Sequence, residues 1–365
     1  MQPRRFVLLN PGPVNVSPRV RAAFEQTPDL CHREPEVGEL VRSIGQRLVR
    51  CFTGASADYG AVALTGSGTL AVEAMIACGV GAGELLVINN GVYGQRIADM
   101  ARAHEIAVVE VRSGWTDPLD LDAVESALRA HPRVEAIAVV HHETTTGLLN
   151  PVREAALLAR RHGKRFLVDS VSGLGGDAID LVGDGVDFCA GTANKCIQGL
   201  PGISFVLFRR AALKERAAQK PRSVYLDLAA HHGVQEQASM LFTMAVQVAA
   251  ACDEALAELE EETVTARVAR YGAAADFLRR GFADLGLHLL IENAALSNTL
   301  TALRLPPGLE YERLHASLKQ QGFIVYAGQG KLGADVFRVA NMGHLTQSDF
   351  AAFLAALGGI VRGGR

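Results

Sequence analysis

The sequence predicts an α/β protein, with a large domain built round a mainly parallel sheet and a small C-terminal α+β domain. Three observations point there. From Tyr59 onward, short apolar runs alternate with helical patterns, as in a sheet covered by helices on both faces. A chain of 365 residues has material for one large domain and a smaller one. Apolar residues at 264, 268, 271, 275, 278 and 282 then repeat with helical spacing and open a second unit.

The expected division is an N-terminal arm over 1–15, a large domain over 16–262 and a small domain over 263–365. Phe6 to Pro18 reads as an extended arm with turns, since Pro11, Pro13 and Pro18 forbid a helix interior. Ser17-Pro18 opens a helix to about Gln26, serine at the cap and proline at the first position. A polar loop, Asp29 to Glu36, precedes a helix over 37–53. Strands follow at 61–64, 85–88, 106–111, 136–140, 165–169, 186–190 and 203–208, with helices near 69–79, 93–104, 119–130 and 151–162. A long helix over 236–262 leads out of this domain. The second unit has strands near 287–291, 298–305, 323–326 and 335–340, and helices near 310–321 and 346–357.

Composition excludes several classes of partner. Hydrophobic residues make up 49% and charged residues 21%, with a net charge of −3, which favours neither nucleic acid nor an anionic membrane surface. No apolar run is long enough to span a bilayer. The six cysteines lack metal-ligand spacing and sit mostly among apolar residues, which reads as reduced thiols in the cytoplasm.

The chemistry gathers at turns after strands. Lys195 lies in a small-residue turn, Ala190 to Gly202, between two apolar runs. Burial there lowers a lysine's pKa, and a partly neutral amine can attack an aldehyde. Asp169 ends the strand 165–169, where an acid meets a ligand in the crevice of an open sheet. Leu64-Thr-Gly-Ser-Gly-Thr-Leu-Ala71 follows a strand and opens a helix, a place for a phosphate. The same string matches a dinucleotide fingerprint, but that fingerprint wants an acid after the next strand, which ends Ile88-Asn-Asn-Gly91. One phosphate fits better than two. An aldehyde, a phosphate and a ring nitrogen held by an acid together describe pyridoxal phosphate (PLP).

Tyr93 opens the next helix and could stack on a flat ring, with a core tyrosine the equal alternative. His141 and His142 are adjacent and point to opposite faces if the strand continues, so a metal site is rejected. Thr144 and its neighbouring threonines offer hydroxyls to a cofactor or substrate. His231-His232 reads as surface. Arg338, inside an apolar strand of the small domain, needs an anion, either a structural carboxylate or a substrate.

In this order, these residues resemble the class V aminotransferases of PLP fold type I. The likeness runs from Leu8-Leu-Asn-Pro-Gly-Pro13 to Phe337-Arg338 and is most specific at Ala193-Asn-Lys-Cys-Ile-Gln-Gly199. His142-Glu-Thr-Thr-Thr-Gly147 and Arg222-Ser-Val-Tyr-Leu-Asp-Leu228 support it. Cysteine desulfurases of the class carry a catalytic cysteine near the C-terminus, and no cysteine follows Cys252 here. The resemblance implies that Lys195 anchors PLP, Asp169 holds its ring nitrogen, and Ser67, Gly68 and Thr69 bind its phosphate. It implies further that Tyr93 stacks on the ring, Thr144 meets its oxygen side and Arg338 holds the substrate's anion. A threonine from a second subunit completes the phosphate site in the family, which implies a homodimer and points to Thr243. Met244 stands after it, where relatives usually carry proline. The activity implied exchanges an amino group between 2-aminoethylphosphonate and phosphonoacetaldehyde on one side and alanine and pyruvate on the other. Alanine–glyoxylate or serine–pyruvate exchange on the same machinery is the alternative, with a PLP-dependent lyase behind it.

Overall fold

The computed structural model describes residues 5–292 and 295–363. Residues 1–4 of the expected arm, and 293–294 and 364–365 of the expected small domain, lie outside them. The chain begins with β1 (Val7–Leu8), α1 (Pro18–Gln26) and α2 (Pro35–Thr53). Ser17 caps α1, its Oγ accepting the Val20 N–H at 3.1 Å, with Pro18 in the first turn. α2 starts two residues earlier than expected because Pro35, lacking an N–H, suits a first helical position. It stops at Gly54, which takes the left-handed conformation at φ 59°.

The alternating run follows as β2 (Tyr59–Thr65), α3 (Gly68–Gly79), β3 (Glu84–Asn89), α4 (Val92–Ala103), β4 (Ala107–Arg112), α5 (Leu121–Ala130) and β5 (Val134–Val140). Then come the short β6 (His142–Glu143) and β7 (Leu148–Leu149), α6 (Val152–Arg161), β8 (Arg165–Asp169), β9 (Phe188–Thr192) and β10 (Ile203–Arg209). Seven of these strands form one sheet in the order β2-β10-β9-β8-β5-β3-β4. All are parallel except β10, which runs antiparallel to both neighbours. Side chains alternate between two cores. Leu86, Ile88, Ile137 and Val139 join one on the face of α2, α5 and α6, while Leu85, Val87, Ala136 and Ala138 join the other with α3 and α4. Fully buried parallel strands read as continuous apolar runs for this reason.

The chain departs from the expected elements after β10. α7 (Arg210–Ala217) and α8 (Leu228–Gln235) are additional helices, and the long helix shrinks to α9 (Val246–Glu262). Asp227 caps α8 by accepting the Ala229 and Ala230 N–H groups, and Ala238 at φ 51° turns the chain, so 236–245 cannot be one helix. Apolar periodicity alone does not reveal such a turn. His231, expected at the surface, is buried, with its Nε2 on the Tyr225 carbonyl at 3.0 Å.

The C-terminal part holds α10 (Val264–Asp284), β11 (Leu300–Arg304), α11 (Tyr311–Gln320), β12 (Phe323–Ile324), β13 (Tyr326–Ala327), β14 (Val336–Ala340) and α12 (Gln347–Gly363). It has its own core, in which Phe282, Phe323 and Phe353 meet. The expected strand at 287–291 reduces to a single bridge, Leu289 to Leu303. β1 pairs in parallel with β12, and the Leu9 carbonyl accepts the Ala340 N–H at 2.8 Å, so the arm is stitched to this part.

Candidate active site

Six parallel strands end on one side of the sheet, at Thr65, Asn89, Arg112, Val140, Asp169 and Thr192. Ligands of open α/β sheets bind outside such carboxyl ends. The turn from Ala193 to Gly202 carries Lys195, which is partly buried. Burial is the first cause that pushes its pKa down, to about 8. The positive charges of Arg338 and Arg96 act the same way and Asp169 opposes them. The turn is braced from α10: Arg267 donates to the Cys196 and Ile197 carbonyls, both at 3.3 Å. Gln198, at φ 68°, donates to the Tyr271 hydroxyl at 2.7 Å and the Gly343 carbonyl at 3.1 Å.

Asp169 is buried at the end of β8, where its Oδ1 accepts the Val171 N–H at 3.0 Å. Burial raises its pKa to about 6, against the Val171 N–H, Arg96 and Lys195. It is therefore an anion at neutral pH. His141 and His142 are neutral there, since burial pushes them down to about 4 and about 3. Their rings take different partners: His141 meets the Ser170 hydroxyl at 2.9 Å, and His142 lies 3.4 Å from the Thr299 hydroxyl.

Ser67 stands at the N-cap of α3 with its side chain uncommitted to capping. A Cβ on Gly68 would lie 2.7 Å from Val171 and 3.3 Å from Thr192, so only glycine fits between the two turns. The Thr69 hydroxyl lies 3.5 Å from Arg96, whose guanidinium sits 4.8 Å over the Tyr93 ring. Glu143, buried and raised by that burial, accepts the Tyr93 N–H at 3.2 Å and anchors the start of α4. Among the described residues, the buried Thr144 and Thr146 hydroxyls and His142 Nε2 find no partner. Buried polar atoms seldom stay unpaired, so these three point to a polar guest.

Arg338 reaches this group from β14. It is buried, its Nη1 donates to the Thr144 carbonyl at 2.9 Å, and no carboxylate among the described residues pairs with it. Thr243 is not part of the cluster. It is exposed, beside His32, Arg33, Tyr225 and Phe242, around a cleft of about 420 Å³ that no residue of the Lys195 group lines. Met244 is buried and anchors the segment by accepting the Thr65 hydroxyl at 2.9 Å.

Two site residues escaped the sequence reading. Arg96 lies three residues after Tyr93, on the same helix face, and that spacing could have found it. Gly12, at φ 88°, lies under Lys195: a Cβ there would approach its Cδ to 2.6 Å and Nζ to 3.0 Å. Only the turn string Asn10-Pro-Gly-Pro13 hinted at it.

The fold and this cluster define a PLP-dependent transferase, and a family model confirms the class: residues 36–344 match "Aminotransferase class-V". The chain belongs to that family. Among curated relatives, it is 39% identical to a 2-aminoethylphosphonate–pyruvate transaminase of Aeromonas hydrophila, covering 96% of this chain and 94% of that one. It is 38% identical to the protein of the same name from Syntrophobacter fumaroxidans, with 98% of each covered. Among solved structures, an alanine–glyoxylate aminotransferase from Nostoc sp. superposes with a TM-score of 0.92 at 28% identity, covering 99% of this chain and 97% of that one. Among the described residues, no helix is long and apolar enough to cross a membrane.

Proposed function

We propose that this chain transfers the amino group of 2-aminoethylphosphonate to pyruvate, giving phosphonoacetaldehyde and alanine. The observation that carries this reading is Arg338, a buried guanidinium without a carboxylate partner among the described residues, beside the Lys195 group. An anionic substrate would supply the missing charge. The relatives named above support the phosphonate as that anion.

When bound, PLP supplies an aldehyde that takes up the amino group and a ring that stabilises negative charge on the neighbouring carbon. The residues fit it: a lysine of lowered pKa, an ionised aspartate at a strand end, a glycine cradle at a helix start and unpartnered buried hydroxyls. Lys195 would be the anchor and, once the substrate amine has displaced it, its Nζ would take the proton from the substrate's amine-bearing carbon and return it on the cofactor side of the C–N bond. Asp169 would keep the ring nitrogen protonated. Ser67, Gly68 and Thr69 would present N–H and hydroxyl donors to the phosphate. Tyr93 would stack on the ring, and the Thr144 hydroxyl would donate to its oxygen side.

The same reading makes the protein a homodimer, with exposed Thr243 of one copy serving the phosphate site of the other. Its six cysteines, all free thiols, support a cytoplasmic setting. We also place the domain division at Thr263, which takes φ 70° between α9 and α10 and caps the latter through the Ala266 N–H.

Capture of PLP by the apoprotein should quicken about tenfold per pH unit below the Lys195 pKa and level off above about 8. An ordinary lysine would keep accelerating beyond pH 10, its usual value being 10.5. The substrate reading is tested by following loss of the PLP absorbance near the visible edge with 2-aminoethylphosphonate, alanine, serine and ethanolamine. Rapid loss with the phosphonate and alanine, and none with ethanolamine, is expected. Loss with alanine or serine and none with the phosphonate would replace this reading with alanine–glyoxylate exchange.

A further inference from the structure

Arg338 has five N–H donors, and three are already spent. Its Nε donates to the Ala327 carbonyl at 2.9 Å, and its Nη1 to the Thr144 carbonyl at 2.9 Å and to Gln329 Oε1 at 3.1 Å. Only Nη2 remains. A guanidinium grips a planar carboxylate through two parallel N–H groups, taken either from Nε and Nη2 or from Nη1 and Nη2. Each of those forks has lost a prong here. Arg338 can offer an anion its charge and one nitrogen, but no two-pronged grip.

The second donor stands beside it. Arginine has no acceptor, so the side of Gln329 that faces it must be the carbonyl oxygen. That orientation leaves the amide N–H2 of Gln329 as a second donor close to the guanidinium, and no described residue takes it. The loop that presents it is firmly built. Gly328 N–H reaches the Val336 carbonyl at 2.6 Å, and Leu332 N–H reaches the Gln329 carbonyl at 3.0 Å. Lys331 Nζ lies 4.7 Å over the Trp115 ring, from the loop after β4, and a Cβ on Gly330 would stand 2.9 Å from that ring. These contacts hold the backbone of the loop on either side of Gln329.

We propose that Gln329 determines specificity: its amide nitrogen and Nη2 of Arg338 form a splayed donor pair that suits a tetrahedral anion better than a planar one. Two donors on separate groups can reach two different oxygens of a three-oxygen head, whereas the two oxygens of a carboxylate are coplanar and close. This deepens the reading of Arg338 as the anion-holding residue and rests on it.

The test uses the PLP-loaded enzyme and amines of one chain length: 2-aminoethylphosphonate, 2-aminoethylsulfonate and β-alanine. The last two carry the same single charge and differ in head shape. Wild type should convert the sulfonate ahead of β-alanine. Gln329→Met, of similar size without the amide, should lower kcat/KM for the phosphonate about tenfold relative to β-alanine, the loss of one hydrogen bond to a charged group. The change should fall mainly in KM, with PLP absorbance and melting temperature near wild type. An unchanged or increased phosphonate to β-alanine ratio would overturn the proposal. So would a wild type that takes β-alanine as readily as the sulfonate, a comparison that needs no variant to fold. A wild type that converts none of the anionic amines would sink the underlying reading of Arg338 instead.

Discussion

Lys195→Ala is expected to abolish amino transfer, by about 10⁴-fold or more, and to remove the PLP absorbance near the visible edge. The expected loss is large because the proposed role gives one nitrogen two tasks, anchoring PLP and moving the proton on which the exchange depends. The fold should survive. Lys195 is partly buried, and its turn is held by bonds from Gln198 and Arg267 rather than by its own ammonium. Removing a cation from an apolar setting relieves a desolvation cost. Retained absorbance together with retained turnover in the variant would refute the assignment of Lys195.

Arg338→Met should lower kcat/KM for both 2-aminoethylphosphonate and alanine by about 10²- to 10³-fold, the cost of truncating one partner of a buried charge pair. PLP binding should be almost unaffected, since Arg338 meets the cluster only through the Thr144 backbone. Three acceptors lose their donor, at Ala327, Thr144 and Gln329, so a stability loss of about 1–3 kcal/mol accompanies the change. Arg338→Lys should recover part of the activity, because an ammonium keeps the charge and not the guanidinium's geometry. Full activity in Arg338→Met, measured as steady-state rates with both amines, would contradict an anion-holding role.

Lys195, Asp169 and the glycine string are legible as candidates because each lies at or just after the end of a strand whose apolar run is unmistakable, and carboxyl ends of parallel strands are where ligands bind. Arg338 was legible as a charge inside an apolar run. What stayed hidden depends on tertiary contact. The reversed direction of β10 leaves no mark on the sequence, since both its faces are buried in either direction. The break between α8 and α9 turns on a capping aspartate and a left-handed alanine, neither of which disturbs the apolar periodicity. Gly12 reads as a turn glycine, and only the folded arm brings it under Lys195. Gln329 looks like loop filler until Arg338 is seen to orient it. Thr243 was picked out by resemblance, and within one chain it stands away from the Lys195 group.

The most direct measurement is the product balance of the PLP-loaded enzyme with 2-aminoethylphosphonate and pyruvate, followed by NMR. The account predicts one alanine and one phosphonoacetaldehyde for each phosphonate consumed, with no ammonia and no consumption when pyruvate is withheld beyond a single turnover. Release of ammonia, or continued consumption without a keto acid, would make the protein a lyase and contradict the account.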